Sequence, residues 1–233
     1  MQAARGRVPE DAENFSFEAV QKLRKACRHV CYLLNEGYSL KAACTFVGNH
    51  FLLSERQRLA VMRSVASEAQ RMLRAKKCVP PSDLRDKTVW IDGFNEIITL
   101  EVLLCQSPLF RCMDGAIRDL ASLRGTYRLI PETFGAISLL LSALRKTGVQ
   151  RAVLLLDAPV SNSGRLKSAI AAVAEAETCP VQLDIRVQKD DDRELYDCRH
   201  VITSDSVILD HCRSWVNLTE LCLKASTPVL QIW

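Results

Sequence analysis

Three aspartates follow apolar runs that have the length of buried strands. Asp92 ends TVWID, Asp157 ends AVLLLD, and Asp205 follows HVITS. Because the carboxyl ends of parallel strands meet at one crevice of an open α/β sheet, we expect these three carboxylates to lie close together. Carboxylate oxygens are ligands that hard divalent cations prefer. The sequence therefore predicts a metal-dependent hydrolase.

The same aspartates also have structural explanations. Asp92 with Gly93 is typical of a turn, and Asp205 is a good candidate for a helix N-cap. One such aspartate would be structural about as often as functional. Three of them at strand ends favour a functional site.

Phosphodiester hydrolysis is the reaction that such a site supports. A bound Mg²⁺ or Mn²⁺ polarises a phosphate oxygen and lowers the pKa of a bound water, and we expect one of these ions as the cofactor. The chain contains no H-E-x-x-H zinc motif and no G-x-x-x-x-G-K-[ST] nucleotide loop. Metal-assisted hydrolysis is thus the enzyme class that the sequence favours.

A second candidate site is the segment PVSNSGRLK at residues 159–167. It places three polar residues at a predicted strand-to-helix junction, where a helix N-terminus attracts anions. Two cations nearby can neutralise a phosphate, although a plain capping turn explains the same residue types. The residues that we expect to contact phosphate or RNA here are Ser161, Asn162, Ser163, Arg165 and Lys167.

The segment RDLASLRGTYR at residues 118–128 is predicted to be a helix that follows an RNA backbone. Arg118, Arg124 and Arg128 would contact phosphates, and Tyr127 would stack on a base. The alternative, which these residue types favour, is an ion-paired surface over a core tyrosine.

Composition and charge describe a soluble globular chain with a basic first part. Of the 233 residues 48% are apolar, residues 1–88 carry 16 Lys and Arg against 9 Asp and Glu, and residues 89–233 carry 15 against 18. A basic part beside an acidic site suits an RNA enzyme, and a solvated helical surface is the alternative. No apolar run reaches the roughly 20 residues of a membrane span, so we expect a cytoplasmic protein with no membrane contact. Nothing indicates an oligomeric state.

The pattern of elements predicts two domains. After a flexible stretch at 1–15, apolar residues at helical spacing predict a basic bundle of three helices over 16–77, which begin after Ser16, Ser39 and Ser54. Pro80 and Pro81 mark a linker at 78–87. Alternating strand and helix signals over 88–233 predict an α/β domain with a mostly parallel sheet flanked by helices.

The motifs IDGFN, LLLD and TSD resemble those of the NYN branch of the PIN-like nucleases, which are metal-dependent ribonucleases with a Rossmann-like fold. The segments at 32–58, 118–128, 154–167 and 203–210 resemble domain-of-unknown-function family 434 over residues 16–225. That resemblance implies a helical N-terminal module and a PIN-like C-terminal domain.

The nuclease resemblance implies roles for individual residues. Asp92, Asp157 and Asp205 would be metal ligands, and Asn95 would orient a ligand or the substrate. The NYN pattern has an acidic pair before TSD, where this chain has QKDDDRELYD, so Asp192 or one of its neighbours Asp190 and Asp191 would take that place. The expected function is a metal-dependent ribonuclease, with a non-catalytic RNA or ribonucleoprotein binder as the alternative. A third reading places a small phosphorylated ligand on SNSGR.

Overall fold

The first part of the chain is helical. The computed structural model describes residues 4–121, 125–189 and 191–233. The helices before the first strand are α1 (Asp11–Asn14), α2 (Phe17–Asn35), α3 (Leu40–His50), α4 (Glu55–Ser64) and α5 (Glu68–Lys77).

A 3₁₀ turn at Pro81–Leu84 leads into the second part, where strands and helices alternate. The elements are β1 (Thr88–Asp92), α6 (Gly93–Leu104), β2 (Leu109–Arg111), β3 (Ile117–Asp119), α7 (Pro131–Thr147), β4 (Arg151–Asp157), α8 (Ser163–Ala176), β5 (Gln182–Gln188), α9 (Asp191–Leu195), β6 (Val201–Ile202), α10 (Ser206–His211), β7 (Trp215–Val216), α11 (Leu218–Cys222) and β8 (Val229–Leu230).

The predicted helix starts in the first part are confirmed. The Ser16, Ser39 and Ser54 side chains each accept a hydrogen bond from the backbone N–H three residues later. Such a bond satisfies one of the N–H groups that a helix start leaves without a partner.

The prediction that the third helix continues to Lys77 is wrong. The chain leaves the helix at Val65, whose backbone is extended, and Ser67 then caps a new helix, α5. Ser67 and Gln70 form a capping box, as Ser54 and Gln57 do at the start of α4. The sequence around Ser67 therefore contains the capping-box pattern that indicates the start of α5.

The main sheet is parallel, as predicted. Its five strands lie in the order β5-β4-β1-β6-β7. β1 pairs with β4 on one side, where Asp92 lies opposite Leu155, and with β6 on the other, where Ile91 lies opposite Ile202. The order changes direction between β1 and β6, which makes this the topological switch point of the sheet.

Both faces of the sheet are covered. On one face Ile91, Leu154 and Ile202 belong to a buried core that α6, α7 and α8 complete. On the opposite face Leu155 and Trp215 pack with residues of α9 and α10. Successive strand residues point to opposite faces, which is why the β4 run AVLLL is apolar throughout.

The helical part shares its core with a small second sheet, β3-β2-β8. Phe110, Leu120 and Ile232 are buried against α2, α3 and α4. The predicted helix over 118–128 is therefore wrong, because residues 117–119 form β3. Strands of two or three residues are too short to show a period in the sequence.

Residues near the N-terminus make specific contacts that no sequence pattern indicated. The Arg5 Nε donates to Glu101 at 2.7 Å, and Arg56 Nε donates to Asp11 at 2.8 Å. The stretch expected to be flexible is thus tied to α6 and α4 at two points.

No helix in the described residues is long and apolar enough to cross a membrane. All ten cysteines carry free thiols, and nine of them are buried or partly buried.

Gly93, the first residue of α6, lies where the helix passes close to β4. A Cβ atom there would lie 2.7 Å from the Leu155 carbonyl oxygen and 2.7 Å from Leu156 Cδ2. We expect Gly93→Ala to lower the free energy of unfolding by about 2 kcal/mol through overpacking. Urea unfolding measures the change.

Gly164, in the first turn of α8, is the matched control, since a Cβ there meets nothing within 4 Å. Alanine at this position should stabilise the protein by up to about 1 kcal/mol. An equal effect of the two substitutions would contradict the close approach at Gly93.

Glu96 is a buried carboxyl group on α6. Its Oε1 accepts a hydrogen bond from Thr219 Oγ1 at 2.9 Å. Burial raises the pKa of Glu96 to about 7, and the Thr219 bond offsets only part of that effect. The folded protein therefore keeps the proton over a pH range in which an unfolded chain has lost it.

We expect Glu96→Gln to stabilise the protein in a pH-dependent manner. Below about pH 4.5 the carboxyl is protonated in both states, so the substitution changes little. Between that value and about pH 7 only the unfolded chain ionises, and the wild type loses stability as pH rises. The difference should reach about 3 kcal/mol near pH 8 in urea unfolding.

Glu175→Gln, on the exposed surface of α8, is the control and should show no such trend. A Glu96→Gln gain of the same size at pH 5 and pH 8 would exclude the proton as its cause.

Candidate functional site

The switch point brings two predicted motifs together. β1 ends at Asp92, β6 ends at Ile202, and residues 203–205 follow directly. In open α/β sheets the crevice outside the strand ends at a switch point is where ligands bind. The sheet thus brings Asp92 and Asn95 beside the loop that carries Asp205.

A polar network fixes the two strand ends to each other. Thr203 Oγ1 donates to Asp92 Oδ2 at 2.8 Å, while Asp92 Oδ1 accepts from the Asn95 N–H at 3.3 Å. Asn95 Oδ1 accepts from the Ser204 N–H at 2.8 Å and from its hydroxyl at 3.0 Å. Asp92 is only 8% exposed and is the N-cap of α6. Its carboxylate thus positions the loop after β6.

Asp205 is the N-cap of α10, as its residue type suggested, and one of its two carboxylate oxygens forms the cap. Its Oδ1 accepts from the Val207 and Ile208 N–H groups at 2.8 and 3.2 Å. Its Oδ2 accepts no hydrogen bond from the described residues. This half-buried carboxylate also lines the cavity beside the loop after β6.

Asp157 and Asp192 add negative charge beside Asp205. The carboxyl of Asp192 is partly desolvated, which raises its pKa, and the charges of Asp205 and Asp157 raise it further. Asp192 of α9 therefore lies close enough to Asp157 of β4 and to Asp205 of the loop after β6 for their charges to act on its own. Within residues 4–121, 125–189 and 191–233, no three His, Cys, Asp or Glu side chains form a ready metal-binding cluster.

Arg118 is not a surface residue. It is 3% exposed, its Nε donates to the Ser204 carbonyl at 2.6 Å, and its guanidinium pairs with Asp114 at 2.6 Å. Arg74 of α5 pairs with the same Asp114 at 2.7 Å and with Asp210 at 2.7 Å. Burial alone would raise the pKa of Asp114, but Arg118 and Arg74 hold it below its usual value.

The SNSGR segment contacts the chain around Tyr127. Ser161 Oγ accepts from the Tyr127 N–H at 2.9 Å, and Asn162 Nδ2 donates to the Tyr127 carbonyl at 2.6 Å. Ser163 is buried at the start of α8. These side chains tie the turn before α8 to the Tyr127 backbone, and Asn162 makes no side-chain cap hydrogen bond with α8, so they do not form the plain capping turn that was the alternative.

The remaining predicted contacts lie apart from this network. Arg128, Arg165 and Lys167 are exposed. Tyr127 is buried, and its hydroxyl donates to Glu101 at 2.6 Å. Burial raises the Tyr127 pKa, and the neighbouring Glu101 charge adds to that effect. The predicted positions Arg124 and Asp190 lie outside the described residues, as does the side chain of Asp191.

A cavity of about 600 Å³ opens beside the loop after β6. One wall comes from that loop and α10, and the other comes from the helical part. No sequence signal placed these elements side by side. The residues that line it include Tyr38, Met62, Arg63, Ser204, Asp205 and Val207.

These features define an α/β protein with neighbouring aspartates at the carboxyl ends of a parallel sheet and a helical part packed beside it. The chain belongs to the family described as Domain of unknown function (DUF5616), which it matches over residues 81–221. Residues 22–77 match Protein of unknown function (DUF434), so the predicted resemblance to family 434 is confirmed for the helical part.

Among curated proteins, the Uncharacterized protein MJ0935 of Methanocaldococcus jannaschii is similar to this chain. It is 36% identical over 187 residues, which are 80% of this chain and 88% of that protein. No solved structure matches the chain.

The Thr203 hydroxyl joins the two strand ends, since it donates to Asp92 and accepts from the Asp205 N–H at 3.0 Å. We expect Thr203→Val to lower the free energy of unfolding by about 2 kcal/mol, because both buried partners lose their bond. Thr203→Ser keeps the hydroxyl and should cost clearly less. Urea unfolding compares the two variants, and equal losses would show that packing of the methyl group matters instead.

Proposed function

We propose that this protein is a divalent-metal-dependent ribonuclease of PIN-like type, which hydrolyses phosphodiester bonds at the switch-point crevice. The observation that carries the proposal is the open oxygen of Asp205 beside the mutually repelling carboxylates of Asp157 and Asp192. A cation relieves such repulsion, and a switch point is where an α/β sheet binds ligands.

The donor set fits Mg²⁺ or Mn²⁺. Both ions prefer carboxylate and water oxygens over sulfur or nitrogen. Mg²⁺ commonly uses one or two carboxylates, several waters and the phosphates of the substrate, so it does not need a closed protein cage. One or two of Asp205, Asp192 and Asp157 would hold the ion together with bound waters, and the ion would supply a water of lowered pKa and stabilise charge on the phosphate.

Other residues of the crevice have positioning roles in this proposal. Asp92, through the Thr203 hydroxyl, and Asn95, through Ser204, hold the loop that carries Asp205. Asp205 is further oriented by its two bonds to the start of α10. These bonds hold its Oδ2 in place before a ligand arrives, which lowers the entropic cost of binding.

RNA as the substrate rests on the basic character of the first 88 residues. Not all of that charge is available, because Arg56 pairs with Asp11 and Arg74 with Asp114 and Asp210. The exposed cations Lys25 of α2 and Lys41 of α3 remain for phosphate contacts. Such contacts make binding salt-dependent.

The test is Mn²⁺- or Mg²⁺-dependent cleavage of single-stranded and structured RNA by the purified protein. Asp205→Asn retains a side chain that caps helices well but loses the charge. We expect this variant and Asp192→Asn each to lower the cleavage rate about 100-fold or more, because the ion loses a ligand. Gel analysis of end-labelled RNA measures the rate, and circular dichroism confirms that the variants are folded.

Asp197→Asn is the matched control, because this carboxylate is 84% exposed and pairs only loosely with Arg213, at 3.6 Å. It should cleave at the wild-type rate. Cleavage that survives Asp205→Asn would refute the proposed site. No cleavage with either metal, together with salt-sensitive RNA binding, would identify a non-catalytic RNA-binding protein instead.

A further inference from the structure

The cavity beside Asp205 has one wall from each part of the chain. Ser204, Asp205 and Val207 belong to the loop and helix that follow β6, while Tyr38 and Met62 belong to the helical part. Its volume of about 600 Å³ lies in the range of small-molecule and nucleotide sites. Its position means that a ligand bound at Asp205 would extend against the helical part.

Three apolar side chains on the cavity wall are exposed. Tyr38 is 58%, Val207 50% and Met62 38% exposed. Exposed apolar side chains that lie together on one cavity wall are typical of a ligand-binding surface. An aromatic ring with aliphatic and thioether neighbours offers a base a flat face and an apolar surround.

The backbone around Tyr38 is well fixed even though its ring is exposed. Gly37 has φ +86°, a left-handed conformation in which a side chain would be strained, and it ends the turn after α2. The Tyr38 N–H donates to the Leu33 carbonyl at 3.0 Å, and Ser39 then caps α3. The turn thus holds the ring at the cavity rim.

Arg63 supplies positive charge to the same cavity. Its side chain is half-buried and forms no ion pair with any described carboxylate. Its backbone carbonyl accepts from Arg118 Nη1 at 3.1 Å, and Arg118 also holds Ser204. Arg118 therefore fixes the backbone at Ser204 and also at Arg63, on the opposite side of the cavity.

We propose that this cavity binds one unpaired nucleotide of a single-stranded RNA, next to the phosphodiester that a metal ion at Asp205 would hold. Tyr38 stacks on the base, Met62 and Val207 cover its edges, and Arg63 contacts the adjoining phosphate. The inference rests on the ribonuclease function proposed above and adds its substrate class. A paired base cannot enter the cavity without leaving its stack, so single strands bind better than duplexes.

The experiment measures binding and cleavage separately. Fluorescence anisotropy with a labelled 12-nucleotide unstructured RNA in EDTA reports affinity without turnover. We expect Tyr38→Ala and Arg63→Gln each to raise Kd about tenfold, and Tyr38→Phe to retain wild-type affinity, because the ring is kept. A duplex of the same sequence should bind at least about tenfold more weakly than the single strand.

The matched control is Tyr32→Ala with Arg28→Gln, because these two residues line a separate groove between α2 and α3. The control pair should change Kd less than the cavity variants do. Where metal-dependent cleavage occurs, Tyr38→Ala should raise KM with little change in kcat.

Two results would overturn the cavity proposal. One is unchanged RNA affinity in Tyr38→Ala and Arg63→Gln, and the other is a loss confined to the Tyr32 and Arg28 variant. If the protein cleaves RNA but the two cavity variants bind and cleave it like the wild type, the ribonuclease proposal is retained and the nucleotide subsite is refuted. Weakened binding in those variants without any cleavage would keep the RNA site and remove the ribonuclease.

Discussion

A buried network of alternating charges joins the helical part, the β3-β2-β8 sheet and the loop after β6. Arg74 of α5 pairs with Asp114, and Arg118 of β3 pairs with the same carboxylate and donates to the Ser204 carbonyl. The side chains of Arg74, Asp114 and Arg118 are each at most 4% exposed. Removing one member would leave uncompensated charge in the interior, which typically costs about 3–5 kcal/mol. The placement of the crevice loop therefore depends on the helical part.

The helical part is consequently more than an attached module. Its core is completed by Phe110, Leu120 and Ile232 from the second part of the chain. Its α5 contributes the charged link, and its α2–α3 turn forms the outer wall of the cavity beside Asp205. A helical surface that closes a crevice on an α/β sheet restricts which ligands fit there. This arrangement is why the substrate inference rests on residues from both parts.

The strand-end aspartates turned out to differ in use. Both Asp92 oxygens accept hydrogen bonds from neighbouring groups, while only Oδ1 of Asp205 accepts any from the residues that the structure describes. The sequence predicted the strands that these residues follow and the crevice they share. It could not divide cap from ligand, because the two roles use the same residue type at the same place in a strand-to-helix turn. Only the folded structure shows which oxygens of each carboxylate are engaged and by which groups.

The sequence by itself determined the helix starts and the parallel sheet. Local signals suffice for both, namely serine caps, helical spacing and apolar strand runs. Only the tertiary structure decided the strand order, the short β3-β2-β8 sheet and the burial of Arg118. It also decided that Tyr38 and Asp205 line the same cavity. These depend on contacts between residues far apart in the chain, and such contacts leave no period or spacing that a single sequence displays.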